Sequence, residues 1–154
     1  MPASASAYKV GGRAWPGHRI TYFNADRSLS KAVRLAVRAW NTSGVHVRFV
    51  PVSRGRAQVL LRRGNAGGFP IPYPSSVYDN GACAGFADVG WWPGRRQAGV
   101  TLDRQCVGLL VSAEVVAHEL GHILGLQHPS RGCAAMTPSP YMFCRKQPNL
   151  WQSG

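Results

Sequence analysis

His118-Glu119-Leu120-Gly121-His122-Ile123-Leu124-Gly125-Leu126-Gln127-His128 is the stretch on which the reading of this 154-residue chain turns. His118 and His122 stand four residues apart, so on a helix both imidazoles leave one face and can share a tetrahedral metal. Glu119 lies beside them. A carboxylate next to zinc takes a proton from an activated water and passes it to a leaving amine, the general-base work that peptide hydrolysis requires. Gly125 tolerates positive φ, so it can end the helix and swing the chain back to deliver His128 as a third ligand. Three protein ligands leave one coordination position for water or substrate, as in catalytic rather than structural zinc sites. Given this chain's own residue frequencies, the five fixed positions arise by chance in on the order of 10⁻⁵ of such chains. Elimination supports the third ligand, because no Asp or Glu occurs from Leu120 to Gly154 and His128 is the strong candidate that remains.

Working outward, the helix that carries the motif is expected from about Ser112 to Leu124, with Ser112 as its N-cap and Glu114 as an acid in the first turn. Upstream, Arg19-Ile20-Thr21-Tyr22-Phe23 reads as a strand before an Asn24-Ala25-Asp26 turn. A helix follows from about Leu29 to Trp40. Leu29, Val33, Ala36, Val37 and Trp40 recur at helical spacing, and Lys31, Arg34 and Arg38 fall outside that stripe. Asn41-Thr42-Ser43-Gly44 is expected to end it. Strands are expected at Val45 to Val52 and Ala57 to Arg62. Residues 64–82, rich in Gly, Pro, Ser and Asn, read as a long surface excursion of the kind that is often functional. Two short extended pieces follow, around residues 84–89 and 99–102, with a Trp91-Trp92-Pro93-Gly94 turn between them. The order of elements indicates a mixed sheet packed against helices. His18 and His46 fall at strand edges, where solvated side chains are expected.

A 16.7 kDa chain fits one compact domain with a real core. With 18 Lys plus Arg against 6 Asp plus Glu, the formal charge is +12, and carboxylates are too scarce for a calcium-loaded protein. Hydrophobic residues at 45% argue against a disordered basic tail. No apolar run is long enough for a membrane span, and residues 1–7 lack the apolar core of a signal peptide. Cys83, Cys106, Cys133 and Cys144 are even in number with no C-x-x-C spacing, a pattern that fits two disulfides in a secreted protein. Arginines dominate the charge, in short clusters at Arg54, Arg56, Arg62, Arg63, Arg95, Arg96, Arg145 and Lys146. Such a field either attracts polyanions or simply keeps the protein soluble.

The zinc motif, with Met136 in Ala134-Ala135-Met136-Thr137-Pro138 eight residues past His128, resembles the metzincin clan of zinc endopeptidases. A Met-containing turn lies under the metal in that clan, and Met136 matches it. Within the clan the chain looks most like a matrixin catalytic domain, from its Ile20-Thr21-Tyr22 strand and the helix through Lys31-Ala32-Val33-Arg34-Leu35-Ala36-Val37-Arg38-Ala39-Trp40 to the Met-turn. The likeness spans roughly residues 15–140, and its specific parts are the zinc motif and the Met-turn. It implies an α+β, metzincin-like zincin fold. In that fold a twisted, mostly parallel sheet of about five strands, with an antiparallel edge strand, packs on two long helices, and the active-site helix is followed by the Met-turn. Residues 1–154 would form a single metalloprotease catalytic domain, with 1–14 as an extended N-terminal segment.

The resemblance further implies that substrate adds as an extra strand to the sheet edge above the metal, which by position is Ala84-Gly85-Phe86-Ala87-Asp88-Val89. It also implies that the segment between His128 and Cys144 walls the pocket for the residue after the cut bond; Tyr141 either packs in that wall or lends a hydroxyl to the oxyanion, as a tyrosine after the Met-turn does in some clan members at a shorter spacing. The chain departs from matrixins in having no His, and only Asp79, Asp88 and Asp103, between Gly64 and Gly108. One catalytic zinc is therefore expected, and a structural calcium or second zinc is poorly supported. Cysteines would stiffen the domain instead. Of the three pairings four cysteines permit, Cys133–Cys144 around the Met-turn with Cys83–Cys106 is the expected one. Pro148 to Gly154 leaves room for only a turn or two of helix. The function so implied is that of a secreted, monomeric zinc endopeptidase acting on proteins or peptides, with Glu119 as general base. The alternative is a non-catalytic basic module that binds polyanions on the same scaffold.

Overall fold

A computed structural model describes residues 9–10, 15–65, 85–88, 97–128 and 136 of the chain. Five strands form the main sheet: β2 (Arg19–Asn24), β3 (Arg48–Pro51), β4 (Val59–Gly64), β5 (Gly85–Asp88) and β6 (Ala98–Asp103), in the order β3-β2-β4-β6-β5. β3, β2, β4 and β6 run parallel, and β5 is antiparallel to β6 at the outer edge. Two helices, α1 (Ser30–Thr42) and α2 (Leu109–Ile123), pack against each other, α1 beside β3 and α2 beside β6 and β5. A second, two-stranded sheet joins β1 (Lys9–Val10) to β7 (Leu126–Gln127), antiparallel. The architecture is a mixed α+β one with a mostly parallel sheet and an antiparallel edge, compatible with a metzincin-like fold. Its helices are 13 and 15 residues long.

Local sequence accounts for these elements. In α1, Ala32, Val33, Ala36, Val37 and Trp40 are buried at helical spacing while Lys31, Arg34 and Arg38 are exposed. Asp26 opens the approach to α1 by accepting from the Ser28 N–H at 2.8 Å. The helix ends inside the expected Asn41-Thr42-Ser43-Gly44 stretch, after Thr42, and Asn41 lies in its last turn. The Asn41 side chain donates to the Phe49 carbonyl at 3.0 Å and accepts from the Phe49 N–H at 2.8 Å, satisfying backbone groups on the edge strand β3. Val59 and Leu61 in β4, and Ala98, Val100 and Leu102 in β6, alternate into the core.

The strand expected over 45–52 is confined to Arg48–Pro51, and that expected over 57–62 is shifted to Val59–Gly64. The start of α2 needs a larger correction. The helix begins at Leu109, not Ser112, behind Gly108 at φ +91 with no side-chain cap. Ser112 is buried and its N–H donates to the Gly108 carbonyl, so it is an interior residue, and Glu114 lies beyond the first turn. A glycine that turns the chain sharply starts this helix where a capping hydroxyl was expected. Arg63 holds the entry to α2, donating to the carbonyls of Asp103 at 3.2 Å and Cys106 at 2.7 Å. Arg62 donates to Thr101 Oγ1. Part of the positive charge is therefore structural. Cys106 is fully buried and disulfide-bonded. Its expected partner Cys83 lies outside the described residues, as do Cys133, Cys144 and most of the 64–82 excursion. Among the described residues no helix is long and apolar enough to cross a membrane.

Candidate metal centre

The candidate site is built on α2 and the turn that follows it. α2 is buried on nearly every side from Val116 onward, with Ala117, His118, Glu119, Leu120, Gly121 and Ile123 all in the interior. Two contacts fix it from behind. The Trp40 indole N–H donates to the Ala117 carbonyl at 2.8 Å. Met136, fully buried, lies with its sulfur against Gly121, where any Cβ would overlap it. A glycine between the two histidines of α2 thus admits the thioether to the back of the helix. After Leu124, Gly125 takes φ +88 and donates to the His122 carbonyl at 2.9 Å, which turns the chain through β7 to His128.

His118, His122 and His128 converge. Their Nε2 atoms are separated by 2.9 Å (His118–His128), 3.2 Å (His118–His122) and 3.2 Å (His122–His128). Ring centroids lie 4.8 to 4.9 Å apart with the planes fanned at 38° to 82°. The His122 Nδ1–H donates to the Leu126 carbonyl at 2.9 Å, so its Nε2 carries a lone pair directed at the other two rings. Three nitrogens this close cannot all be hydrogen-bonded to one another, since each proton serves one pair. A cation between them engages all three. Tetrahedral zinc at its usual distance from imidazole nitrogen sets ligand separations of about 3.3 Å, close to those found. Partial burial, and after it the electrostatic influence of His122, lower the pKa of His128 and so favour the neutral form a ligand needs. The donor set fits zinc.

Glu119 lies against β5 at the sheet edge. It is 6% exposed, and its pKa is raised to about 7, first by desolvation; a hydrogen bond from the Ala87 backbone N–H opposes that rise. A carboxyl so placed exchanges its proton near neutral pH, as a general base and acid must. Gly85, Phe86 and Ala87 lie in β5, at the open edge of the sheet, while Ala84 and Tyr141 lie outside the described residues. His18 and His46 are exposed, with His18 Nδ1 3.0 Å from the His46 carbonyl, and neither belongs to the histidine cluster.

The matrixin family model matches residues 97–151. That span takes in β6, α2 and all three histidines, and it points to a matrixin-like zinc metalloprotease family. No curated protein matches the chain in sequence. The contacts that sequence reasoning missed are the Leu126 and Ala117 carbonyls, the Ala87 N–H, and the β1–β7 pairing that borders the turn to His128. Backbone groups bear no residue signature, and a two-residue strand such as Lys9–Val10 has no periodicity to detect.

Proposed function

We propose that the protein is a zinc-dependent endopeptidase that hydrolyses peptide bonds in proteins, with His118, His122 and His128 as metal ligands and Glu119 as general base. The observation that carries this reading is the convergence of three imidazole Nε2 atoms within 3.2 Å, two from α2 and one from the chain beyond β7, with a buried carboxyl of raised pKa on the same helix. Zinc held there supplies Lewis-acid activation of water and of the scissile carbonyl. Glu119 takes a proton from the attacking water as the new C–O bond forms. It then delivers that proton to the nitrogen as the C–N bond breaks. Leu126 keeps His122 in the tautomer that ligation requires. Met136, in this reading the methionine of a turn under the metal, backs α2 through Gly121.

β5 receives the substrate backbone along its open edge. The chain is one catalytic domain, monomeric and extracellular, stiffened by Cys83–Cys106 and Cys133–Cys144 disulfides. Glu119→Ala should abolish digestion of casein while one zinc per chain stays bound, and 1,10-phenanthroline should stop the parent enzyme. Undiminished cleavage by the variant would overturn the role given to Glu119, and salt-sensitive polyanion binding with no cleavage by the parent would overturn the endopeptidase reading in favour of the binding module.

A further inference from the structure

Glu119 rests on the backbone of β5, and Gly85 is where it rests. A Cβ on Gly85 would stand 2.7 Å from Glu119 Cγ, 2.7 Å from Glu119 Oε1 and 2.7 Å from Val115 Cγ1. Carbon atoms do not approach so closely, and two of these three are not mobile tips. Glu119 Cγ is tied to the helix through a single bond from Cβ, and Val115 is β-branched, with one strongly preferred rotamer on a helix. Conformation does not call for glycine here. Among the described residues the glycines at positive φ are Gly17, Gly44, Gly108 and Gly125, and Gly85 is not one of them. What Gly85 supplies is clearance.

Two residues further along β5, the Ala87 N–H donates to the Glu119 carboxylate. Strand and carboxyl therefore meet at two points, an absent side chain and a backbone donor.

We infer that Gly85 is a positioning residue for Glu119: its missing side chain lets the Glu119 chain lie flat against β5 and fixes where the carboxyl group stands. The assignment of Glu119 as general base rests on the endopeptidase reading; the seat itself does not. A side chain at position 85 would push Glu119 off the strand. The nearest atoms it meets belong to Glu119 and Val115, not to a histidine, so metal binding should survive the change.

A double-mutant cycle with zinc-free protein tests the seat without reference to activity. Gly85→Ala should lower Tm by about 3 °C or more in the Glu119 background and by less than half of that in the Glu119→Ala background. Zinc affinity, read by competition with a chromophoric chelator, should stay within about threefold of the parent, since the ligands are untouched. On a peptide substrate, Gly85→Ala should lower kcat by about tenfold or more with KM nearly unchanged, as displacement of a reacting group demands. Gly85→Ala combined with Val115→Ala should recover part of both losses, and it stands in for the single variant if that does not fold. Equal Tm losses in the two backgrounds, or a loss of kcat only in proportion to lost zinc, would overturn the inference. Coupling in the cycle with no hydrolysis by the parent would uphold the seat and sink the endopeptidase reading; hydrolysis without coupling would do the reverse.

Discussion

Stripping the metal and replacing Glu119 by Gln isolates the cost of burying this carboxyl. Gln keeps the length and the acceptor for the Ala87 N–H but does not titrate. In the folded, metal-free protein Glu119 titrates at about 7, against an ordinary 4.5. Between those values the folded protein keeps a proton that the unfolded chain has released, so unfolding is favoured as pH rises. The contribution of Glu119 to stability is full below about pH 4.5, declines through the interval, and is gone above about pH 7. At about 1.4 kcal/mol per tenfold, the interval corresponds to about 3 kcal/mol. For a chain of this size that equals roughly 6 to 12 °C in Tm. Urea denaturation of EDTA-treated parent and Glu119→Gln proteins at several values between pH 4.5 and 7.5 measures it. The parent should lose about 3 kcal/mol relative to the variant across that range. The titrating histidines nearby are common to both proteins and largely cancel. Two stability curves running parallel in pH would refute the argument, because they would mean that Glu119 is solvated rather than sealed between α2 and β5.

Zinc should stabilise the folded chain through the three histidines. With free zinc about a thousandfold above its dissociation constant the gain is about 4 kcal/mol, a rise in Tm of roughly 8 to 16 °C that EDTA reverses. His128→Ala, which removes a side chain at the surface beyond α2, should leave the zinc-free Tm nearly unchanged and erase most of that rise in differential scanning calorimetry. An undiminished rise would place the ion elsewhere. Trp40→Phe should cost about 2 to 3 kcal/mol in urea denaturation, from the hydrogen bond to Ala117 and the volume of the lost ring. The Ala117 carbonyl stays in the helix ladder, which keeps the cost from going higher. A loss under about 0.5 kcal/mol, typical of a surface change, would show that Trp40 does not hold α1 to α2.

Much of this was legible in the sequence, for reasons that differ from element to element. α1 is amphipathic, so its buried stripe and basic outer face appear in the spacing of Val33, Ala36, Val37 and Trp40. α2 is interior on most sides from Val116 onward, and a helix buried all round has no stripe to read. Its position came from the histidine spacing, and its start was misplaced because Ser112 looks like a cap while Gly108 acts through its backbone. The three metal-binding candidates were legible because ligation fixes residue type at fixed spacing. The donors and carbonyls that orient them were not, since any residue carries the same backbone groups.

The contacts that set the candidate site share one property. Trp40 reaches the helix at a carbonyl, Met136 reaches it at Gly121, and β5 reaches Glu119 through Gly85 and the Ala87 N–H. Each is a close approach made available by a small residue or by the main chain itself, on a helix whose large side chains are committed to the core. Precision within a few tenths of an ångström requires supports that do not rotate, and backbone atoms have no rotamers to sample. The same choice makes the site intolerant in a specific way. A single methyl group at Gly85 meets Glu119 Cγ and Val115 Cγ1, and one at Gly121 meets the Met136 thioether and the Trp40 ring. At Gly121 it strikes the support behind the metal ligands; at Gly85 it strikes the side chain that bears the carboxyl. Loss of metal affinity with Glu119 in place, and loss of turnover with metal affinity intact, are thus separable outcomes of two glycine substitutions thirty-six positions apart.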